Sequence, residues 1–180
     1  MDPRLYQLQG KAEFVTRPGS ADSPSATLPL LLEFYDEKLS AVTQHLDHAS
    51  VVQQYDANNT YQYIINREEV QLSWLTSAIT DMGGTLPQAG SRPPKPAKAA
   101  MEAFDIDRQD AQQFVERWQP RVEAMTNARH RNMLRVILGE TREQQRFFEQ
   151  ARAGRTDLLG RRAGVDGEAM GKVLPGRWIE

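Results

Sequence analysis

The segment LLLEFYDEKLSAVTQHLDHA, residues 30–49, has apolar residues that recur with the period of an α-helix. The spacings between them alternate between three and four positions, which places them on one helix face. This stripe consists of Leu32, Tyr35, Leu39, Val42, Leu46 and Ala49. Thr27 can cap the start of the helix, and Pro29 is compatible with its first turn. The segment therefore predicts a long amphipathic helix that begins near Thr27.

Three further segments have the helical period, and no segment shows convincing strand alternation. We predict a second helix over about residues 57–82, which two consecutive glycines end because glycine adopts the left-handed conformation of helix caps. A third helix is predicted over about residues 107–125, with a kink or a broken turn at Pro120. A fourth helix is predicted over residues 127–153, with Asn127 as its N-cap.

The four predicted helices describe an all-α, antiparallel four-helix bundle formed by residues 27–153. Residues 85–100, TLPQAGSRPPKPAKAA, form a proline-rich linker between the second and third helices. This linker is too long for a tight turn and could cross one end of the bundle. Residues 1–26 predict an irregular N-terminal arm, and residues 154–180 predict a glycine-rich C-terminal tail.

The composition of the chain excludes several functional classes. The 180 residues include no cysteine, which excludes disulfides, thiolate metal sites and iron–sulfur clusters. No apolar run approaches the roughly 20 residues that span a membrane, and the mean hydropathy is -0.62. The net charge of -2 does not favour binding to nucleic acid. We therefore expect a cytoplasmic protein with no membrane partner and no nucleic-acid partner.

Four polar residues lie at core-facing positions near the centres of their helices. At 100° per residue, Lys38 points at the core or at its edge, and Glu69 lies on the apolar stripe of the second helix. Thr141 and Gln144 occupy stripe positions on the fourth helix. A buried carboxylate is costly without a partner, so we predict a Lys38–Glu69 ion pair with Thr141 and Gln144 bonding around it. The alternative is that Lys38 and Glu69 both reach the surface between helices.

The sequence resembles the ferritin-like superfamily, near the rubrerythrin and bacterioferritin type. The resemblance covers residues 28–84 and 127–152. It is carried by residues 30–49, by IINREEVQLSWLTSAITDMGG at residues 64–84 and by NMLRVILGETREQQRFFEQA at residues 132–151. It implies a four-helix bundle, in which that family binds two metal ions through glutamates and two Glu-x-x-His pairs.

The resemblance aligns the family's six metal-ligand positions with residues that do not form the usual site. The aligned residues are Lys38 on the first helix, Glu69 and Leu72 on the second, Ala111 on the third, and Thr141 and Gln144 on the fourth. Only Glu69 is a ligand, because leucine cannot coordinate and a lysine ammonium repels a divalent cation. We therefore expect no di-iron site, no catalytic residue and no cofactor, and none of the family's ferroxidase, peroxide-reducing or hydroxylating activities.

Three functional hypotheses remain from the sequence. The leading one is a ferritin-like bundle that acts as a non-catalytic binding or structural protein. The alternative is a metal-binding oxidoreductase or iron-handling protein that holds iron or manganese through an unusual set of carboxylates. That set would comprise Glu37, Glu69, Glu140 and Glu143. A third hypothesis is a helical adaptor whose terminal arms dock on a partner protein.

The remaining histidines and arginines are assigned structural roles. We expect His45 and His48 to pack or to lie at the surface, and His130 to pack or to cap the fourth helix. Four arginines form a basic stripe on the last helix, which we interpret as a solvated face because acidic residues lie beside it. These are Arg131, Arg135, Arg142 and Arg146.

Aromatic residues on the second helix and in the C-terminal tail predict interfaces. One stripe cannot bury all of them, so we expect a homodimer or a larger homo-oligomer through the first two helices, or cover by the N-terminal arm. The tail is expected to dock on the bundle, on a second subunit or on a different protein. The residues of these predicted interfaces are Tyr61, Tyr63, Trp74, Trp178 and Ile179.

Overall fold

The computed structural model describes residues 24–160, which form an all-α four-helix bundle. The helices are α1 (Pro24–Ala49), α2 (Tyr55–Asp81), α3 (Ala100–Glu123) and α4 (Ala128–Arg152). No strand occurs between residues 24 and 160. The predicted fold class is therefore confirmed. Helix α1 begins at Pro24, so Thr27 is not its N-cap and residues 24–26 belong to the helix and not to the predicted arm. Helix α3 begins seven residues earlier than the periodicity suggested.

The helix ends follow local capping chemistry. The side chain of Asn127 accepts a hydrogen bond from the backbone N–H of His130 at 3.1 Å, so the predicted N-cap of α4 is confirmed. After α2 the chain turns at Gly83, whose φ of 75° is in the left-handed region. Helix α3 continues through Pro120 to Glu123, so the predicted broken turn does not occur.

The helices pack as two hairpins joined by a long crossover. Helix α1 packs against α2 and α3 against α4, while α1 also faces α3 and α2 faces α4. The crossover runs alongside α1 and does not cross one end of the bundle. Its backbone N–H groups donate to α1 side chains in sequence, from Ser91 to Asp36 at 2.9 Å and from Lys95 to Gln44 at 3.2 Å. Helix α3 therefore starts beside the end of α1 and runs antiparallel to it.

Two apolar clusters form the core, one towards each end of the bundle. The first is centred on Phe34, Leu75 and Trp118, and the second on Tyr61 and Phe148. Polar side chains that are also buried lie between the clusters. These are Lys38, Gln44, His45, His48, Glu68, Asp107, Thr141 and Gln144. The bundle therefore has a polar middle layer, and this layer is where the candidate site lies.

The regions outside the helices are only partly described. Leu158 follows α4, is 7% exposed and packs in the second apolar cluster, so the start of the C-terminal tail contacts the bundle. The predicted anchor residues Trp178 and Ile179 lie outside the described residues. Within residues 24–160, no helix combines the length and the apolar character needed to cross a membrane.

Candidate functional site: a buried charge network beside a cavity

The centre of the polar layer is an ion pair between α1 and α2. Lys38 Nζ donates to Glu68 Oε1 at 2.6 Å, and both residues are almost completely buried. The predicted partner Glu69 is instead half-exposed. The prediction was wrong by one position because the buried face of α2 passes through Glu68 and Gln71, whereas Leu72 packs against the core from a partly buried position. Because the buried residue Gln71 is polar, the apolar pattern of the sequence did not show which face of α2 is buried.

His45 completes the environment of Glu68. Its Nδ1 donates to the second carboxylate oxygen, Oε2, at 2.7 Å. Burial works to raise the pKa of Glu68, but the charges of His45 and Lys38 outweigh it and lower that pKa to about 2. Burial likewise opposes protonation of His45, yet the carboxylates of Glu68 and Asp107 leave its pKa raised. Glu68 is therefore ionised in the folded protein.

Asp107 of α3 anchors the second half of the network. Its Oδ1 accepts from Gln44 Nε2 at 2.8 Å, and its Oδ2 accepts from Tyr61 OH at 2.5 Å and from His48 Nδ1 at 2.8 Å. His45 Nε2 lies 3.8 Å from Oδ1, so His45 stands between the two carboxylates. Burial works to raise the pKa of Asp107, and the two histidines and Tyr61 more than reverse this and lower it.

His48 is held in its doubly protonated form by its neighbours. Its Nδ1 contacts the Asp107 carboxylate, and its Nε2 contacts the backbone carbonyl oxygen of Lys95 at 2.7 Å. A carboxylate and a carbonyl oxygen can only accept hydrogen bonds, so both ring nitrogens must donate. The pKa of His48 is raised, because the contacts with Asp107 and Lys95 outweigh the opposing effect of burial. An imidazolium therefore ties the crossover to the bundle centre.

The prediction of surface or packing roles for the two α1 histidines was incomplete. The His45 ring does lie near the rings of Tyr61 and Phe148, with centroids 6.1 and 5.6 Å away. However, His45 and His48 also bind buried carboxylates on other helices. The sequence offered little signal, because Asp107 stood at the predicted start of the third helix and not in its core-facing stripe.

A cavity of about 260 Å³ opens beside the network, between α1 and α3. These two helices pack less closely than the partners of either hairpin, which leaves room for the cavity. Thr141 and Gln144 of α4 contribute to its wall, and the crossover residues Arg92, Pro93 and Lys95 also line it. The polar layer therefore borders a space large enough for a small molecule.

Gln144 is a cavity residue whose side-chain amide is not used in the polar network. It is 4% exposed, lines the cavity and forms no side-chain hydrogen bond with the other residues between 24 and 160. Thr141, by contrast, donates to the Ile137 carbonyl oxygen of its own helix at 2.9 Å. Of the predicted polar layer, Lys38, Thr141 and Gln144 therefore lie in the buried centre, and Glu68 takes the place of Glu69. The predicted hydrogen bonds from Thr141 and Gln144 to the ion pair do not form among residues 24–160.

The alternative metal-binding carboxylates do not converge. Glu37 pairs with Arg117 and Arg92, Glu140 with Arg67, and Glu143 with Arg146. Glu69 is half-exposed on α2. Between residues 24 and 160, no three histidine, aspartate or glutamate side chains are arranged to hold a metal ion. The structure therefore does not bring the proposed iron or manganese ligands together.

The predicted interface residues have different environments. Tyr61 is 1% exposed and belongs to the core, so its assignment to an interface was wrong. Trp74 is half-buried against the first apolar cluster, whereas Tyr63 is 43% exposed. Tyr63 is therefore the described residue of this set that is available at the surface.

Two arginines of the basic stripe on α4 contact side chains of α3. Arg135 pairs with Glu123, and Arg142 donates to Gln119 Oε1 at 2.5 Å, both on the exposed side of α4 and α3. His130 is 8% exposed in the first turn of α4, and burial lowers its pKa.

No protein-family model matches the sequence, and no curated protein is significantly similar to it.

Proposed function

We propose that this protein is a non-catalytic, ferritin-like bundle that binds a small molecule in its central cavity. The observation that carries the proposal is the Gln144 amide in the wall of a 260 Å³ cavity, which forms no hydrogen bond with the other residues between 24 and 160. The amide has two N–H donors and an acceptor oxygen that can bond to a partner in the cavity. A ligand in the cavity would supply that partner.

The size and lining of the cavity support a binding role. Ligand sites typically enclose about 300–1,000 Å³ and combine apolar walls with a few placed polar groups. The cavity lies just below this range, and its wall includes Ala111 and Phe114 beside Lys38 and Gln144. These features favour a ligand smaller than a typical drug or nucleotide.

The arrangement of the helices supports the ferritin-like part of the proposal. A single long crossover between two helical hairpins is the connectivity of ferritin-like bundles. Four of the six positions aligned with that family's metal ligands also line the central cavity: Lys38, Ala111, Thr141 and Gln144. Glu68, one residue before the aligned Glu69, lines it as well. The cavity therefore lies where the metal site of such a bundle would lie, and the Lys38 ammonium supplies positive charge there.

The test is a thermal-shift screen of small molecules against the full chain and an Ala111→Leu variant. Ala111 is 8% exposed and lines the cavity, so the larger side chain reduces its volume. We expect some compounds to raise the Tm of the wild-type protein and to have no effect on this variant. An Ala124→Leu variant, changed at an exposed position outside the cavity, should respond as the wild type does. Compounds that act equally on all three proteins, or none that act, would contradict the proposal.

A further inference from the structure

We propose that the ligand of the central cavity is a small monocarboxylate with a compact apolar body. The inference rests on the proposed binding function and deepens it by naming the ligand class. It follows from three features of the cavity lining: the hydrogen-bonding groups that remain unused, the balance of charge, and the apolar part of the wall.

Hydrogen-bond donors with free capacity converge on the cavity. Lys38 Nζ has three N–H donors, and among the described residues its hydrogen bond goes to Glu68. Gln144 uses neither of its amide donors within residues 24–160. His45 Nε2 is 3.8 Å from the nearest carboxylate oxygen, which is beyond hydrogen-bond distance. A ligand that presents two acceptor oxygens can satisfy donors from α1 and α4 together.

The acidic groups of the lining are already paired with cations. Glu37 pairs with Arg117, Glu68 with Lys38, and Asp107 with the charged His48. Asp110 pairs with Lys95 at the cavity rim. A cationic ligand would have to displace one of these partners and would face the Lys38 ammonium. The paired carboxylates therefore disfavour an amine and leave the free donors to select an anion.

The net charge of the cavity lining also favours an anionic ligand. Four carboxylates line the cavity together with four lysine or arginine side chains, which are Lys38, Arg92, Lys95 and Arg117. His45 also lines it, has a raised pKa and adds a positive charge when it is protonated. His48, which pairs with the Asp107 carboxylate, adds a further positive charge. The excess of positive charge therefore favours an anion, and the small volume of the cavity favours one carboxylate over two.

The remaining wall is apolar and suits a short hydrocarbon body. Ala41, Pro93, Ala111 and Phe114 contribute carbon surface to the cavity. The Phe114 ring centroid lies 5.7 Å from Lys38 Nζ, so the apolar surface begins beside the charged end of the site. A water molecule occupies about 30 Å³, and a volume of 260 Å³ is therefore roughly nine times as large, which is room for a carboxylate and about six further carbon atoms.

The experiment compares butyrate, butyramide and butylammonium, which share a four-carbon skeleton and differ in the charge of the end group. Each is titrated into the ¹⁵N-labelled full chain, and the chemical shifts of the Gln144 side-chain amide are followed by NMR. We expect butyrate to shift this signal saturably, butyramide to bind at least about tenfold more weakly, and butylammonium not to bind. Acetate, which lacks the apolar body, should also bind more weakly than butyrate.

Two variants assign the binding to the proposed donors. Gln144→Leu should weaken butyrate binding about tenfold, observed at backbone amides of α1 and α3, while the exposed Gln112→Leu control should bind as the wild type does. If Gln144→Leu does not fold, Lys38→Met combined with Glu68→Gln removes the ammonium without leaving a bare carboxylate. This double variant should lose butyrate binding.

The possible results separate the ligand class from the proposed function. Equal binding of butyramide or butylammonium, or unchanged butyrate binding in the variants, would overturn the monocarboxylate proposal and leave cavity binding intact. No response to any of the probes would overturn it as well. The thermal-shift comparison with Ala111→Leu then decides whether the cavity binds a ligand of another class or none.

Discussion

Lys38 and Glu68 stabilise the fold as a pair, and both side chains are almost completely buried. Removing one member of a buried ion pair leaves a charge without compensation, which costs roughly 3–5 kcal/mol. Removing both members at once can be almost neutral, because the desolvation of the two charges is then avoided as well. Each member of the pair is therefore needed only while the other is present, because the remaining buried charge would otherwise have no partner.

Replacement of Lys38 tests the contribution of the Lys38–Glu68 ion pair to the stability of the fold. We expect Lys38→Met to lower the free energy of unfolding by roughly 3–5 kcal/mol, measured by urea denaturation. The double variant with Glu68→Gln should recover much of the loss, since the glutamine oxygen can still accept from His45. Lys98→Met, at an exposed position, should change stability by about 0.5 kcal/mol or less. A Lys38→Met protein as stable as the Lys98→Met control would show that the ion pair contributes nothing.

The ionisable groups of the network predict a pH range of greatest stability. Glu68 has a folded pKa of about 2 against an ordinary value of 4.5, so its contribution is complete above pH 4.5 and is lost as the pH falls towards 2. The shift corresponds to a contribution on the order of 3 kcal/mol. His45 and His48 have pKa values raised above 6.5, so their contributions are complete below pH 6.5 and are lost as the pH rises through the raised values. The network should therefore stabilise the fold most between about pH 4.5 and 6.5.

Thermal unfolding at a series of pH values checks the histidine half of this prediction. In the wild type we expect the Tm to fall as the pH rises above 6.5. His48→Gln should make that fall shallower, because one of the two titrating groups is gone, whereas His130→Gln should not. Parallel Tm curves for the wild type and His48→Gln would contradict a charged His48 in the folded protein.

The crossover is the element that determines how the cavity is enclosed. Its backbone is fastened to α1 by side-chain acceptors, and Asp36, Ser40 and Gln44 accept from it in succession. His48 adds the contact with the Lys95 carbonyl oxygen. The sequence of α1 therefore places the crossover, and the crossover in turn covers the gap between α1 and α3.

A glycine allows the close approach of the crossover to α1. A Cβ atom on Gly90 would lie 2.4 Å from Ser40 Oγ and 2.7 Å from the Ser40 backbone nitrogen, closer than van der Waals contact permits. We expect Gly90→Ala to displace the crossover and to accelerate hydrogen exchange at the amides of Ser91 and Lys95. Gly139→Ala is the matched control, because a Cβ there meets no atom within 4 Å. It should leave these exchange rates unchanged and stabilise α4 by up to about 1 kcal/mol. Unchanged exchange in Gly90→Ala would contradict the tight packing.

At the scale of the whole molecule, a polar layer separates two apolar cores. The layer joins all four helices, since Lys38, Glu68, Asp107 and Gln144 come from α1, α2, α3 and α4 in turn. Buried polar networks of this kind can specify one arrangement of helices among several, and here Glu68 of α2 bonds to both Lys38 and His45 of α1. The same layer forms the wall of the cavity, so residues that stabilise the fold also line the proposed binding site.

The charge of this layer predicts that the purified protein carries little metal. The Lys38 ammonium lies where a cation would have to bind, and it repels divalent ions. We expect less than about one metal ion per chain in protein prepared without chelator, measured by elemental analysis. The Glu68→Gln variant serves as the control for site-specific binding. Two equivalents of iron or manganese that disappear in this variant would favour the metal-binding alternative.

The amino-acid sequence was sufficient for the existence of the four helices, for the Asn127 cap and for the presence of polar residues at the core, but not for the starts of α1 and α3. These features depend on local signals: the apolar period of residues 30–49, the Asn127 cap, and the polar residues at inward positions such as Lys38, Thr141 and Gln144. Each is encoded within a few turns of one helix, where neighbouring residues determine the outcome.

The partners within the polar layer depended on tertiary packing. Periodicity defines a helix face only to within about one residue, so the choice between Glu68 and Glu69 required the positions of the other helices. The contacts of Lys38 with Glu68, and of Gln44 with Asp107, span 30 and 63 residues of sequence. Such contacts form only when the crossover has placed α3 against α1, because that packing creates both the charge network and the cavity beside it.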